Sequence, residues 1–390
     1  MKKIWIGISA FLGIVIVTAC FVVPKLFVEL YSRDGQKVSA WIMNVKEYKA
    51  DGWYEAPVVT LYTPDGKQMV VYASEVEKYR ADGWYDEPVT TLYQTDGSYE
   101  IVPEVQVEAK LKNGWYREPV AQMVKGNQTK EVLESETDAY REEGWLFKEY
   151  CVGLSRLSQK IADYIKEKPG EHGVYIKNLN TGDFLVLNDA KYHAASVIKL
   201  YQLAAIYDEI EKGNLTMNSD IEFYLHEMIT VSDNYASNEL VRIIGHGNYK
   251  KGFDVLNQFA NSIGCINTQQ LSLFSGAGQF VAYGYSRISP YDCGLILEQI
   301  YRRTLVSPEA SDEMLSLLKQ QTRQHKIPYK LPEGTVCANK TGETSKIEND
   351  VAIVYSPGCD YIICVLTNDA PSGIYDVRDI SEMTYQYFNP

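Results

Sequence analysis

The chain reads as α/β, with strands bracketing a mostly helical middle, and three stretches predict it. Val174 to Lys177 and Phe184 to Leu187 flank Asn180-Thr181-Gly182-Asp183, a strand hairpin turning on glycine. A second strand-rich region runs from 335 to 367. Between the two, Leu200, Leu203, Ala204, Ile206, Tyr207 and Ile210 recur at helical spacing until Gly213. Leu154 to Ile165 reads as the helix that opens this half, and Tyr375 to Phe388 as the helix that closes it.

The 390 residues leave room for two or three domains, and 45% hydrophobic content is ordinary for a folded protein. A net charge of −13 argues against nucleic acid as a partner, because phosphates would be repelled. Lys2 and Lys3 precede an uncharged apolar run, Ile4 to Val23, closed by Pro24 and Lys25. Such a run can cross a bilayer, where a helix needs about 20 apolar residues. Residues 1–30 are therefore expected to be a single membrane anchor. Basic residues on its short side keep that side in the cytoplasm and put the rest outside the cell. Val17-Thr18-Ala19-Cys20 also resembles a lipoprotein box, which would leave a lipidated Cys20 instead. No small-x-small site follows the apolar run, which speaks against a cleaved signal peptide. The seven cysteines form no Cys-x-x-Cys pair and the five histidines are scattered, so neither a metal nor a cofactor is expected. Disulfides and buried free thiols both fit this spacing.

Residues 31–150 read as four tandem copies of one unit. Gly52-Trp53-Tyr54, Gly83-Trp84-Tyr85, Gly114-Trp115-Tyr116 and Gly144-Trp145-Leu146 recur about every 31 residues. Pro57-Val58, Pro88-Val89 and Pro119-Val120 follow the first three. A β-rich run such as Val58 to Tyr62 leads to an Asp-Gly turn and a second strand, Gln68 to Tyr72. Ser74-Glu75-Val76-Glu77 reads as a capping box opening a helix that ends at Gly83. Two roles are open for these strand–strand–helix copies. They could be a spacer whose tryptophans are small cores, or a binding array whose exposed Trp-Tyr pairs stack on a cell-wall polymer.

Residues 151–390 hold the chemistry. Ser196 opens the apolar helix with Lys199 one turn on, which puts both on one face. Taken alone, Ser196 reads as a helix cap. Two later motifs change that reading by their order: Ser232-Asp233-Asn234, then Lys340-Thr341-Gly342. Ser-x-x-Lys, Ser-Asp-Asn and Lys-Thr-Gly in this order are the signature set of penicillin-interacting serine enzymes. Residues from about 151 onward thus resemble the class A β-lactamase and penicillin-binding-protein superfamily. Lys326-Ile327-Pro328, Leu331-Pro332-Glu333-Gly334-Thr335, Glu348 to Val354, and Ser289-Pro290 with Asp292 are similar to that family as well. The resemblance covers about three-fifths of the chain. It implies an antiparallel sheet flanked by helices, with a helical subdomain between.

The resemblance also assigns roles. Ser196 would attack a strained lactam or peptide carbonyl and form an acyl-enzyme. Lys199 would take its proton, its pKa depressed by burial and by Lys340. Ser232 would pass a proton to the leaving nitrogen, while Asn234 would hold the substrate amide and Lys199. Lys340 and Thr341 would bind the substrate carboxylate, and Gly342 would allow close backbone approach. The oxyanion hole would be the backbone N–H of Ser196 and of Glu343, the latter contributing as backbone only. Read without the family, Ser232-Asp233-Asn234 is a turn between helices 221–230 and 236–244.

Two departures bear on function. The Ser196–Ser232 spacing is short for class A enzymes, so the helical subdomain is trimmed. Class A enzymes also activate the deacylating water with a glutamate on a loop before the Ser289-Pro290 position. This chain has no Asp or Glu between Asp254 and Asp292, and only Gln269 and Gln270 have similar reach. Three functions are compatible with these residues: a penicillin-binding-type acyl-enzyme former acting on β-lactams or peptidoglycan stem peptides, a β-lactamase using another base, or a wall-binding surface protein with an inert serine domain.

Overall fold

The computed structural model describes residues 27–390. The apolar run Ile4 to Val23 and Cys20 lie outside the described residues. Among the described residues, no helix is long and apolar enough to cross a membrane. Phe27 to Leu30, expected from the sequence to belong to the anchor, instead belong to strand β1 (Phe27–Tyr31). Two compact units form, one of residues 27–92 and 100–117, the other of 93–99 and 118–390.

The first unit is built from hairpins, each followed by a short helix. β1 pairs antiparallel with β2 (Lys37–Trp41) and leads to α1 (Val45–Ala50). β3 (Val58–Tyr62) pairs with β4 (Gln68–Tyr72) before α2 (Val76–Ala81), and β5 (Val89–Tyr93) and β6 (Tyr99–Pro103) precede α3 (Glu104–Lys112). The tyrosine after the tryptophan closes the motif with a β-bridge to the first strand, Tyr54 to Tyr31 and Tyr85 to Tyr62. Trp84 packs on Leu61, Val71 and Val76, and Trp115 on Leu92, Val102 and Val107. Tyr48–Trp53 and Tyr79–Trp84 meet edge-to-face at 5.8 and 6.5 Å. The expected capping box does not form. A 3₁₀ turn, Ala73–Glu75, contains Ser74 and leads straight into α2, so no side chain caps the helix start.

The second unit carries an eight-stranded sheet in the order β14-β15-β16-β10-β11-β9-β7-β8, with antiparallel neighbours throughout. These strands are β7 (Val120–Lys125), β8 (Gln128–Leu133), β9 (Leu146–Val152), β10 (Glu171–Asn178), β11 (Phe184–Leu187), β14 (Val336–Thr344), β15 (Ile347–Tyr355) and β16 (Tyr361–Asn368). The sheet therefore takes in β7, β8 and β9, which precede or straddle the start expected near Cys151. The hairpin β7–β8 and the short helix α4 (Thr137–Glu142) lead to β9, which pairs with β7 on one side and β11 on the other. Ala121, Met123, Val132, Phe147 and Tyr150 join the main core of the unit.

On one sheet face, α5 (Ser155–Lys166) and α12 (Gly373–Phe388) bury Leu157, Ile161, Val377 and Ile380 against Val174, Ile176, Val354 and Ile363. On the other face lies α6 (Ile198–Glu211), buried on every side from Ile198 to Tyr207, as a central helix must be. Around it stand α7 (Ser219–Thr230), α8 (Asn234–Ile244), α9 (Tyr249–Ser262), α10 (Pro290–Tyr301) and α11 (Pro308–Lys319). A two-stranded ribbon, β12 (Tyr192–His193) with β13 (Arg287–Ile288), holds the segment before Ser196. The six described cysteines are all free and buried.

Candidate active site

Ser196 sits in one 3₁₀ turn, Ala195–Val197, that runs directly into α6. Ala195 before it is left-handed, with φ 44°. That conformation costs a non-glycine residue about 1–3 kcal/mol and persists only where the surroundings impose it. Here they do: Ala195 N donates to His193 Nδ1 at 3.0 Å and Ala194 N donates to Ser286 O at 2.9 Å. The buried Asn349 amide donates to His193 O at 2.9 Å.

Lys199 is fully buried one turn further on. Its ammonium donates to Asn234 Oδ1 at 2.7 Å and Ser232 O at 2.8 Å, with Ser232 Oγ at 3.4 Å. No hydrogen bond joins it to Ser196, and the Phe274 ring lies 4.2 Å from the ammonium. Burial pushes the Lys199 pKa down to about 7; Arg323 adds to this and Asp233 opposes it. Lys340, on β14 and also fully buried, donates to Ser232 Oγ at 2.8 Å and Thr341 O at 2.9 Å. Burial first, then the charges of Lys199 and Arg323, hold it well below the usual lysine range. Ser232, itself left-handed at φ 62°, thus places one hydroxyl within reach of both ammoniums. A proton can pass between the lysines through that oxygen. Among the described residues neither lysine forms an ion pair, whereas the equally buried Lys326 is matched by Glu348 at 2.8 Å. Asp233 caps α8 by accepting from Ala236 N at 2.7 Å, the structural part expected of it.

The third motif seats directly on the first. A Cβ added at Gly342 would stand 2.9 Å from Ala194 O and 3.0 Å from the amide nitrogens of Ser196 and Val197. Only glycine lets β14 come this close, and the approach brings the backbone of Glu343 beside the turn of Ser196. The side chain of Glu343 has partners of its own, apart from any role of its backbone. Its carboxylate is bonded by Arg323 Nη1 and lies 3.2 Å from His325 Nε2 and 3.8 Å from Lys326 Nζ. Burial opposes ionisation there, but Lys326, His325 and Arg323 hold the carboxyl below its ordinary range.

A cavity of about 360 Å³ opens over Ser196, lined also by Asn234, Ser275, Phe280, Tyr285 and Glu343. Its loop wall is clamped by Asn238, which accepts from Phe274 N and donates to the carbonyls of Phe274 and Ala277, each at 2.9 Å. Neither glutamine lines this cavity. Gln270 is buried against Gln202 at 2.8 Å and Asn257, and Gln269 is paired with Arg287. Ser272 and Ser275 line it in their place. The sequence reading missed Asn238, Phe274, Arg323 and Asn349. Asn238 had a signal, since it stands one helical turn after Asn234 on the same face. The other three come from segments that only the fold brings to Ser196.

Comparison with known proteins bears on the family and the fold. The chain is 24% identical over 275 residues to the β-lactamase VEB-1 of Pseudomonas aeruginosa, covering 60% of this chain and 90% of that one. The solved structure of PBP-A superposes with a TM-score of 0.53 at 25% identity, over 60% of this chain and 97% of PBP-A. A variant of PBP-A solved as its acyl-enzyme complex with penicillin G matches equally well. A β-lactamase from Sphaerobacter thermophilus, at 20% identity and TM-score 0.53, shares the fold over 61% of this chain and 98% of its own. A family model described as the β-lactamase enzyme family matches residues 156–223 and 220–388. With more than half of its length so matched, the chain belongs to the β-lactamase enzyme family.

Proposed function

We propose that this protein forms an acyl-enzyme through Ser196 with β-lactams or D-alanyl-D-alanine-type peptides, and that the acyl-enzyme is released slowly. In the acylation step, Ser196 Oγ bonds to the carbonyl carbon while Lys199, in its neutral form, accepts the hydroxyl proton. The carbonyl carbon–nitrogen bond then breaks, and the proton reaches the leaving nitrogen through Ser232 Oγ. Asn234 would hold the substrate amide, and Lys340 and Thr341 its carboxylate. Slow release is carried by one observation: among the described residues, the sole carboxylate lining the cavity is Glu343, engaged by Arg323, His325 and Lys326. A base in this position, already engaged by Arg323, Lys326 and His325, is poorly suited to activating water.

The test is intact mass of the full chain with benzylpenicillin, sampled over time beside Ser196→Ala. A lasting adduct, lost in Ser196→Ala, supports the reading. Penicillin consumed without an accumulating adduct would overturn slow release and favour hydrolysis by another base. Intact penicillin with no adduct would leave the wall-binding reading. We also read the chain as tethered by its N-terminal apolar run, with the enzyme outside the membrane and the Gly-Trp-Tyr copies acting as a spacer. Supporting the spacer, Trp84 and Trp115 pack into the small cores of their own copies rather than standing clear of them. Protease accessibility of intact cells would separate an outside from an inside location.

A further inference from the structure

We infer that the acyl portion of the substrate carries a carboxylate, which is received by Lys191 and Arg287 in a subsite adjoining the Ser196 cavity. This rests on the acyl-enzyme reading above and adds the chemistry of the group transferred to Ser196.

The cavity over Ser196 runs well beyond the serine itself. It extends along β14 past Glu343 to Thr344, and along the loop to Tyr285 and Ser286. A substrate whose carbonyl lies at Ser196 and whose terminal carboxylate lies at Lys340–Thr341 points its acyl side toward that far end. There a second cavity of about 440 Å³ begins, sharing His193, Gly284, Tyr285 and Ser286 with the first. Arg287 lies directly opposite His193 in the β12–β13 ribbon, so the subsite is fixed to the strand that leads into the Ser196 turn.

The electrostatics of this second cavity run against those of the protein. The chain carries a net charge of −13, yet Lys191 and Arg287 line the cavity and, among the described residues, no carboxylate does. Glu171, the acid near its edge, is bonded to the Asn368 amide at 3.0 Å. Among the described residues Lys191 forms no ion pair, and the Arg287 guanidinium meets only the amide oxygen of Gln269, at 2.8 Å. An independent observation points the same way. Both cations also line a small adjoining cavity of about 120 Å³ together with Asn267. Two cations thus line adjoining cavities whose walls carry no carboxylate among the described residues, which suits a carboxylate ligand. His193, whose Nδ1 accepts from Ala195 N, has only its Nε2–H left to offer and adds a further donor at the junction of the two larger cavities.

The test uses the full chain and two thioester substrates, identical except that the acyl end terminates in a carboxylate or in its methylamide. Thiol release reports acylation, and the ratio of the two second-order constants is the readout, so loss of folded protein in a variant cancels. The wild type should prefer the carboxylate about tenfold, as a charged hydrogen bond implies. The ratio should fall to about one in Lys191→Gln/Arg287→Gln and return in Lys191→Arg/Arg287→Lys. A wild-type ratio of one, or a preference that survives the double glutamine variant, would overturn the subsite. If benzylpenicillin acylates Ser196 while the ratio is one, the subsite alone fails. If neither thioester nor penicillin acylates Ser196, the acyl-enzyme reading fails and the subsite with it.

Discussion

Arg80 and Arg141 hold the same place in two sequence copies, each after a tyrosine and three residues before the glycine of the tryptophan motif. Locally the two copies pack alike, with Tyr79–Trp84 and Tyr140–Trp145 both edge-to-face at 83° and 82°. The arginines meet opposite fates. Arg80 has a side chain 45% exposed and pairs with Glu77 and Asp86 at the surface. Arg141 is 7% exposed, donates to buried Asp292 at 3.3 Å and lies 4.4 Å from the Tyr291 ring. The difference extends to whole segments. Among the described residues, none of the charged side chains before Glu118 is buried, whereas Arg141, Asp189, Lys199, Asp292, Lys326, Lys340, Asp350 and Asp376 are. A repeat dictates its own aromatic packing, but whether a charge is solvated depends on what covers it. Some buried charges, such as Arg141, hold the fold together. Others, such as Lys199, form no ion pair among the described residues and, in the proposed mechanism, serve the chemistry.

The largest expected effect tests whether the hydrolase half folds without β7, β8 and β9. A chain beginning at Cys151 lacks β7, β8 and most of β9, and with them Arg141. It should show no cooperative thermal transition, while a chain beginning at Glu118 melts cooperatively and binds benzylpenicillin covalently. Equal melting of both would break the comparison. Next come the buried lysines. Lys199→Met should slow acylation about 10³-fold, within the range of a lost general base. Its denaturation midpoint should be unchanged or higher, because an unpaired buried ammonium is replaced by an apolar group. A lower midpoint would mean that Lys199 is structural. Gly342→Ala should slow acylation about 10²-fold, the cost of displacing an oxyanion donor. A similar change at Gly83, left-handed at φ 85° but with open space around it, should leave acylation intact.

Arg141→Met should cost about 3–5 kcal/mol in urea unfolding, because it leaves a buried carboxylate without its cation. Arg80→Met should leave the midpoint where it was. The pH dependence sharpens this contrast. Burial raises the Asp292 pKa from 3.8 to about 7, with Asp189 adding and Arg141 opposing. The native state thus holds this proton more tightly than the unfolded chain, a stability contribution that is full below about pH 4 and lost as pH rises through about 7. Without Arg141 the ionised form is worse accommodated, so the Arg141→Met penalty should be larger at pH 8 than at pH 5. A penalty independent of pH would assign the effect to lost packing on Tyr291 instead. The smallest effect expected is on rate: wild-type acylation should rise with pH through about 7 as Lys199 loses its proton. A flat profile between pH 6 and 8 would remove Lys199 from the role of base.

Much of this was legible in the chain itself. Helical and strand spacing placed α5, α6 and α12 and the β10–β11 hairpin to within a residue or two. The three ordered motifs named Ser196, Lys199, Ser232, Asn234 and Lys340, which the structure draws together. Periodicity also marked the Gly-Trp-Tyr copies, whose Tyr–Trp contacts are local and so depend on few residues. The capping box was misread because Ser74 falls inside a 3₁₀ turn, and a four-residue pattern cannot tell that turn from a helix start. The side chain of Gln270 was misplaced because its partner, Gln202, is remote in sequence.

What the sequence determined by itself was therefore periodic or contiguous: element types, repeat spacing, and residue types whose order is a chemical signature. What only the tertiary structure decided was partnership. The fourth copy carries nearly the same local pattern as the second, yet β9 finds a free edge at β11 and continues the sheet, burying Arg141 on the way. Backbone pairing at a sheet edge is nearly blind to side-chain identity. Whether a strand stops at a single bridge, as at Tyr85, or runs on into a larger sheet is therefore settled by which edge lies within reach.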